Sequence, residues 1–338
     1  MIRTTLKSAL VAALLCSAGA AHAWGQRGHA VIDRAAINAL PDDGPVFLKD
    51  YADYIARNAT QPDSWRSASE GFSKIAEDPN HGWFAQQFAF METIPRSRHE
   101  FILALYDEQQ KLAQTDPEAA ARTNPRWTGT LPYAVMESYG HLVACMRQVR
   151  TMRATGEDAQ PMEQTCAFHV AHLGHYIGDG AQPMHVTWHS DGWRGPNPEG
   201  YDTTGKSHGR FESAFVDAIA LEAEDIADRL GAPGRQQGDV FDHVLAFVND
   251  SATRVETVFR MDRDGDLATG DNPAAREFVI AHTANGARFL RDLVLRAWSE
   301  SEGPRPNLPN PNDQGHPQYN PMTGSAPAPM SVDRATIR

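Results

Sequence analysis

The chain has 338 residues, 41% of them hydrophobic and 22% charged, a composition that excludes collagen-like, disordered and membrane-embedded classes and leaves length enough to bury a sizeable core. Its formal net charge of −12 excludes a protein held to nucleic acid by a broad basic patch. An enzyme that meets phosphate through metal ions is not excluded.

In chain order, Arg3 and Lys7 precede an apolar run from Ala9 to Leu15, and small residues follow at Ala21-His22-Ala23. The pattern predicts a signal peptide over residues 1–23, cleaved after Ala23, and hence export to the periplasm or the medium with a mature chain beginning at Trp24. The run is too short to span a bilayer, and no transmembrane segment is expected. Apolar residues then recur at helical spacing over 29–40, 98–112, 133–152 and 162–177, and helical stretches continue over 208–230, 240–259 and 273–298. Strand-like alternation is scarce and no fixed-period repeat appears. One all-α, multi-helix domain over residues 24–302 accounts for this. Residues 189–207, rich in Gly, Pro, Asp and Thr, read as a long loop between helices, and loops of that length in compact domains are more often functional than idle. The Pro- and Asn-rich tail, 303–338, reads as disordered. Cys145 and Cys166 either pair, as an oxidising compartment permits, or stay as two small buried thiols.

Histidine carries the chemical information. His175 and Asp179 are four residues apart, which puts both on one helix face, and Gly180 and Pro183 end that helix so that His185 can fold back toward the same point. His208 and Glu212 repeat the spacing, and imidazole with carboxylate on adjacent turns is a ligand set that zinc favours. A free Trp24 amine and its carbonyl can form a chelate, with Gly25 and Gly28 letting His29 reach the same ion. Asp63 stands three residues before Arg66, and His81 lies beside Trp83 and Phe84. The acidic run Asp262-Arg263-Asp264-Gly265-Asp266 lacks the closing Glu of a calcium loop and reads as a solvated turn.

Together these pieces resemble the superfamily of zinc-dependent phospholipases C and single-strand-specific zinc nucleases: Trp24 with His29, Asp63 with Arg66, His81, His175-x-x-x-Asp179-x-x-x-x-x-His185, and His208-x-x-x-Glu212. The resemblance implies a helical domain of that type with three zinc ions. One would be held by Asp63, His81, His175 and Asp179, a second by His185, His208 and Glu212, and the third by the Trp24 amine and carbonyl, His29 and a shared Asp179. It also implies a phosphodiester substrate, with Asp63 orienting or deprotonating the attacking water and Arg66 holding a phosphate oxygen. An ion pair of purely structural value is the alternative for Arg66. His169, His172, His189 and His243 are left as core, supporting or surface residues.

The substrate pieces form a mosaic. The Trp24-to-His29 spacing and Asp63-x-x-Arg66 resemble the nucleases, whereas Glu212, Gln182-Pro183-Met184-His185 and Phe211-Glu212 resemble the phospholipases, and the nuclease motif Asp-x-Gly-Gly-Asn is missing after His185. Single-stranded DNA or RNA is the leading substrate, phospholipid head groups the runner-up, and a noncatalytic zinc-dependent binding module the distant third. Trp65, Trp83, Trp188 and Trp193 are candidates to stack on bases, with buried core or lipid-facing roles fitting them equally well. No stable protein partner is predicted.

Overall fold

The computed structural model describes residues 24–234, 236–303 and 310–326. The expected leader therefore lies outside the described residues. Fifteen α-helices, joined by 3-10 turns and loops, follow in order: α1 Gly25–Asn38, α2 Ala52–Asn58, α3 Gln61–Trp65, α4 Gly71–Glu77, α5 Arg98–Leu112, α6 Pro117–Arg122, α7 Pro125–Thr128, α8 Leu131–Thr155, α9 Gln160–Ala181, α10 Lys206–Gly209, α11 Val216–Ala218, α12 Ala223–Ala227, α13 Val240–Ala252, α14 Val255–Asp264 and α15 Pro273–Glu300. The domain is all-α. Among the described residues the one β-bridge, Asn320 with Ser325, closes a set of turns in the tail. No helix there is long and apolar enough to cross a membrane.

α9 is the centre, packed by α8 and α15 along its length and by α1 and α2 on another side. Two glycines explain how closely α1 approaches. A Cβ on Gly174 would stand 2.0 Å from Asp33 Oδ1, and one on Gly178 2.4 Å from His29 Nδ1. Both contacts are well inside van der Waals range, so the spacing Gly174-x-x-x-Gly178 on α9 admits the spacing His29-x-x-x-Asp33 on α1. At the end of α9, Pro183 can donate no hydrogen bond, and the Gln182 side chain accepts from Met184 N at 2.6 Å, turning the chain sharply into the 3-10 turn Pro183–His185.

Sequence periodicity places α1, α5, α8, α9 and α15 well but overruns in two regions. The helix expected over 208–230 is four pieces: α10, a π-helical stretch Arg210–Phe215, α11, and α12 beyond a break where Ala220 takes φ +48. That over 240–259 divides into α13 and α14 at Thr253 and Arg254. Residues 189–205 are non-helical as expected, and their side chains are engaged in packing: Trp193 stacks on His189 with centroids 4.2 Å apart, and Asn197 clamps Tyr201 through both main-chain groups. In the acidic run, Asp262 accepts from Arg210, Asp264 from Arg263 and Asp266 from Asn272, while Gly265 (φ +82) caps α14. These partners make it a capped turn.

Cys145 on α8 and Cys166 on α9 form a disulfide, with Cα atoms 5.6 Å apart and a sequence separation of 21. Closing a loop of this length in the unfolded chain contributes about 3 kcal/mol in the chain-entropy account. Replacing both cysteines by Ala is expected to lower the unfolding free energy by about that amount in urea titrations, and unchanged stability would contradict the bridge.

Candidate metal centre

Six short pieces of chain bring the site together. α1 supplies His29, α3 Asp63, the turn Asp78–His81 supplies His81, α9 His175 and Asp179, the turn Pro183–His185 supplies His185, and α10 with the π-helical stretch His208 and Glu212. All of these side chains are buried, four of them completely: His29, His175, Asp179 and Glu212. They form three clusters that can hold metal ions: His29 with His175 and Asp179, Asp63 with His81 and His175, and His185 with His208 and Glu212. The last matches the expected trio. The first two divide the remaining residues differently from the expectation, because His175 belongs to both; Asp179 nevertheless stays within reach of the Asp63 group, its Oδ2 lying 3.0 Å from His81 Nδ1.

Hydrogen bonds on the outer side of each ring show which nitrogen faces inward. A carbonyl can only accept, so His175 Nδ1–H donates to Ala59 O at 2.9 Å, His185 Nδ1–H to His81 O at 2.6 Å and His208 Nδ1–H to Ser190 O at 3.2 Å, whereas His81 stands between two carboxylates, Nε2 3.1 Å from Glu77 Oε1 and Nδ1 3.0 Å from Asp179 Oδ2, which together raise its pKa against burial. The inner nitrogens of neutral His175 and His208 then present lone pairs. His175 Nε2 and His81 Nδ1 are 3.0 Å apart, with Asp179 Oδ2 3.0 Å from the latter, and His208 Nε2 is 2.9 Å from Glu212 Oε2. Acceptors facing acceptors repel unless a cation or protons lie between them. His29 Nε2, 3.4 Å from Asp179 Oδ1, His185 Nε2, His208 Nε2 and Glu212 Oε1 are all buried without a hydrogen-bond partner. In a native interior such groups call for an ion, and this donor set of imidazole and carboxylate, with both described cysteines in a disulfide, fits zinc.

The same crowding governs protonation. Burial drives His175 down to about 3 against the pull of Asp179 and Asp63, so it is a neutral ligand at physiological pH. Burial also disfavours charge on Asp179 and Glu212, yet the surrounding histidines outweigh it and hold both carboxylates below their ordinary range. His185 is buried too, but Asp179 and Glu212 raise it to about 9: where no cation is present, a proton takes the cation's part.

The remaining predicted residues divide. Trp24 is fully buried against Phe211 at the head of α1, and its carbonyl accepts from Gly28 N at 2.9 Å. Arg66 is clasped, Nε donating to Asp78 at 3.1 Å and Nη1 to Asp63 at 3.4 Å, while Lys74 Nζ reaches Asp78 and the Arg66 carbonyl. The structural ion pair is thus present, and 27% of the Arg66 side-chain surface stays exposed. Trp83 is a core residue against Phe88 and Phe101, and Trp193 is committed to His189, Tyr201 and Phe259. Trp83 is buried, while Trp193 is half-buried. Trp65, edge-on to His172, and Trp188 are half-buried.

Sequence reasoning missed Glu77, Tyr176, Gln182 and Asp33. Gln182 Nε2 donates to Glu212 Oε2 at 3.1 Å. Asp33 is fully buried against Gly174 with neither oxygen hydrogen-bonded, and burial pushes its pKa well above the usual carboxylate value. The spacing Glu77-x-x-x-His81 was a signal that could have been found.

Gly178 gives a test that leaves every ligand in place. In Gly178→Ala the new methyl must displace the His29 ring, so zinc per chain is expected to fall by about one ion, with a stability cost of about 1–3 kcal/mol and helical circular dichroism retained. Full zinc content would show that His29 is not a ligand. No protein-family profile and no curated protein sequence matches the chain, so the functional assignment rests on these residues and their geometry.

Proposed function

We propose that the protein is an exported, zinc-dependent phosphodiester hydrolase whose leading substrate is single-stranded DNA or RNA. The observation that carries this reading is the buried convergence of inward-facing imidazole and carboxylate lone pairs in three adjoining clusters. Asp63 and His81 with His175 would hold one ion, His185, His208 and Glu212 a second, and His29 with Asp179, joined by the Trp24 main chain, a third. When bound, zinc supplies Lewis acidity that polarises the phosphoryl group and makes hydroxide available near neutral pH. Asp63 then serves a second purpose: its carboxylate lies at the edge of its cluster beside Arg66, placed to orient water or accept its proton. Arg66, fixed by Asp63 and Asp78 and still partly exposed, can offer an N–H to a nonbridging phosphate oxygen in a set orientation. Trp65, two residues after Asp63 and half-buried, would be the candidate to stack on a base. The disulfide supports export, since such bridges persist in oxidising compartments.

A second reading, hydrolysis of phospholipid head groups, draws on α4, where Phe72 is 97% and Ile75 79% exposed just before the turn that carries His81. Two bare apolar side chains there suit an acyl or interfacial contact.

The test is protein beginning at Trp24, offered single-stranded DNA, RNA and phosphatidylcholine vesicles side by side. Cleavage of the nucleic acids is expected, lost with a chelator and restored by zinc. Hydrolysis of phosphatidylcholine alone would select the second reading, and no chelator-sensitive hydrolysis of any of the three would overturn both. Protein with one extra residue before Trp24 is expected to lose roughly one zinc and most activity, because the terminal amine becomes an amide. Equal zinc content in the two forms would remove Trp24 from the ligand set.

A further inference from the structure

α9 carries two polar pairs at helical spacing. His175 and Asp179 enter the clusters, while His172 and Tyr176 lie on a neighbouring stripe behind them. From that stripe a chain of hydrogen bonds runs back to a cluster. Tyr176 Oη donates to Glu77 Oε1 at 2.5 Å, His81 Nε2 lies 3.1 Å from the same oxygen, and Asn80 Nδ2 donates to Glu77 Oε2 at 3.3 Å. The single Tyr176 proton is thereby spent, so His172 Nε2, 3.2 Å from Tyr176 Oη, is the donor to it. Glu77 is the last residue of α4, one helical turn before His81, and the intervening Asp78 is held by Arg66 and Lys74.

We propose that Glu77 and Tyr176, backed by His172, are positioning residues that commit His81 to bind metal through Nδ1. The inference rests on the metal-site reading above. His81 has two neutral forms, and they differ in consequence. With its proton on Nδ1 the ring would donate to Asp179 Oδ2, 3.0 Å away, satisfying that carboxylate internally and closing the cluster to a cation. With its proton on Nε2 it donates to Glu77, and the Nδ1 lone pair joins those of His175 and Asp63. A carboxylate receiving three donors is a stronger acceptor for Nε2–H than any neutral group in its place, and a carboxylate behind an imidazole also makes the ring a better ligand. Tyr176 and Asn80 fix the direction in which that carboxylate points. His81 is the ligand whose outer partner is a side-chain carboxylate, whereas His175 and His185 rest on main-chain carbonyls; it is therefore the ligand whose orientation a side-chain substitution can release.

The experiment measures zinc affinity by competition with a chromophoric chelator for wild type, Glu77→Gln, Tyr176→Phe and His172→Ala, with circular dichroism as the folding control. Glu77→Gln is expected to weaken one bound ion by roughly 10- to 100-fold and to leave the His185, His208 and Glu212 ion unchanged. Tyr176→Phe should weaken the same ion by less, and His172→Ala least. Nitrogen-15 spectra of the zinc-loaded wild type should show His81 metal-bound at Nδ1 and protonated at Nε2. Native zinc affinity in both Glu77→Gln and Tyr176→Phe, or metal on Nε2, would overturn the proposal. If Glu77→Gln does not fold, Tyr176→Phe decides alone, since a residue needed only for packing would lower stability without changing the affinity of the folded protein. A wild type that binds no zinc would instead overturn the metal-site reading, and this inference with it.

Discussion

Everything in this fold answers to one electrostatic constraint: carboxylates and imidazole lone pairs are buried facing one another. Asp179 and Glu212 have no exposed surface, and stripping water from such ions costs on the order of several kcal/mol each unless opposite charge replaces it. Hydrophobic packing of α8 and α15 on α9 surrounds them, and the buried charge is balanced by protons on the histidines or by a cation. If the clusters take metal ions, as proposed, folding and metal binding become linked.

The clusters are also coupled through main chain. His81 offers its carbonyl to His185 Nδ1–H, and His185 returns its own carbonyl to Trp83 N at 2.9 Å, so ligands of different clusters sit on one rigid junction. Asp179 ties in the third direction, with Oδ1 toward His29 and Oδ2 toward His81. This is why the glycines of α9 matter: Gly174 and Gly178 set the depth of α1, and that depth sets where His29 meets Asp179.

Much of the site was legible because helical spacing is a local property. His175 and Asp179, His208 and Glu212, and the fold-back of His185 follow from four-residue spacing and a Pro stop, and the structure brings them together. What failed had non-local causes. The helix read through 208–230 breaks where Ala220 takes a left-handed conformation that no residue type there announces, and a π-helical stretch carries Glu212. For Trp83 and Trp193 the sequence leaves base stacking and a core role equally open, since it does not say which rings meet Phe88, Phe101 or His189. Glu77 stood at helical spacing before His81, but its pairing with Tyr176 was not legible for a related reason: the two are 99 residues apart and become a pair only when α4 meets α9. The partition of His175 between two clusters likewise depends on distances, which spacing does not encode.

The most direct measurement is anomalous diffraction at the zinc edge from crystals of protein that begins at Trp24. The account predicts three peaks, each about 2.0–2.2 Å from ligand nitrogen or oxygen atoms: one beside Asp63, His81 and His175, one beside His185, His208 and Glu212, and one beside His29 and Asp179. An interior without anomalous peaks, with the buried histidines paired only through protons, would contradict it.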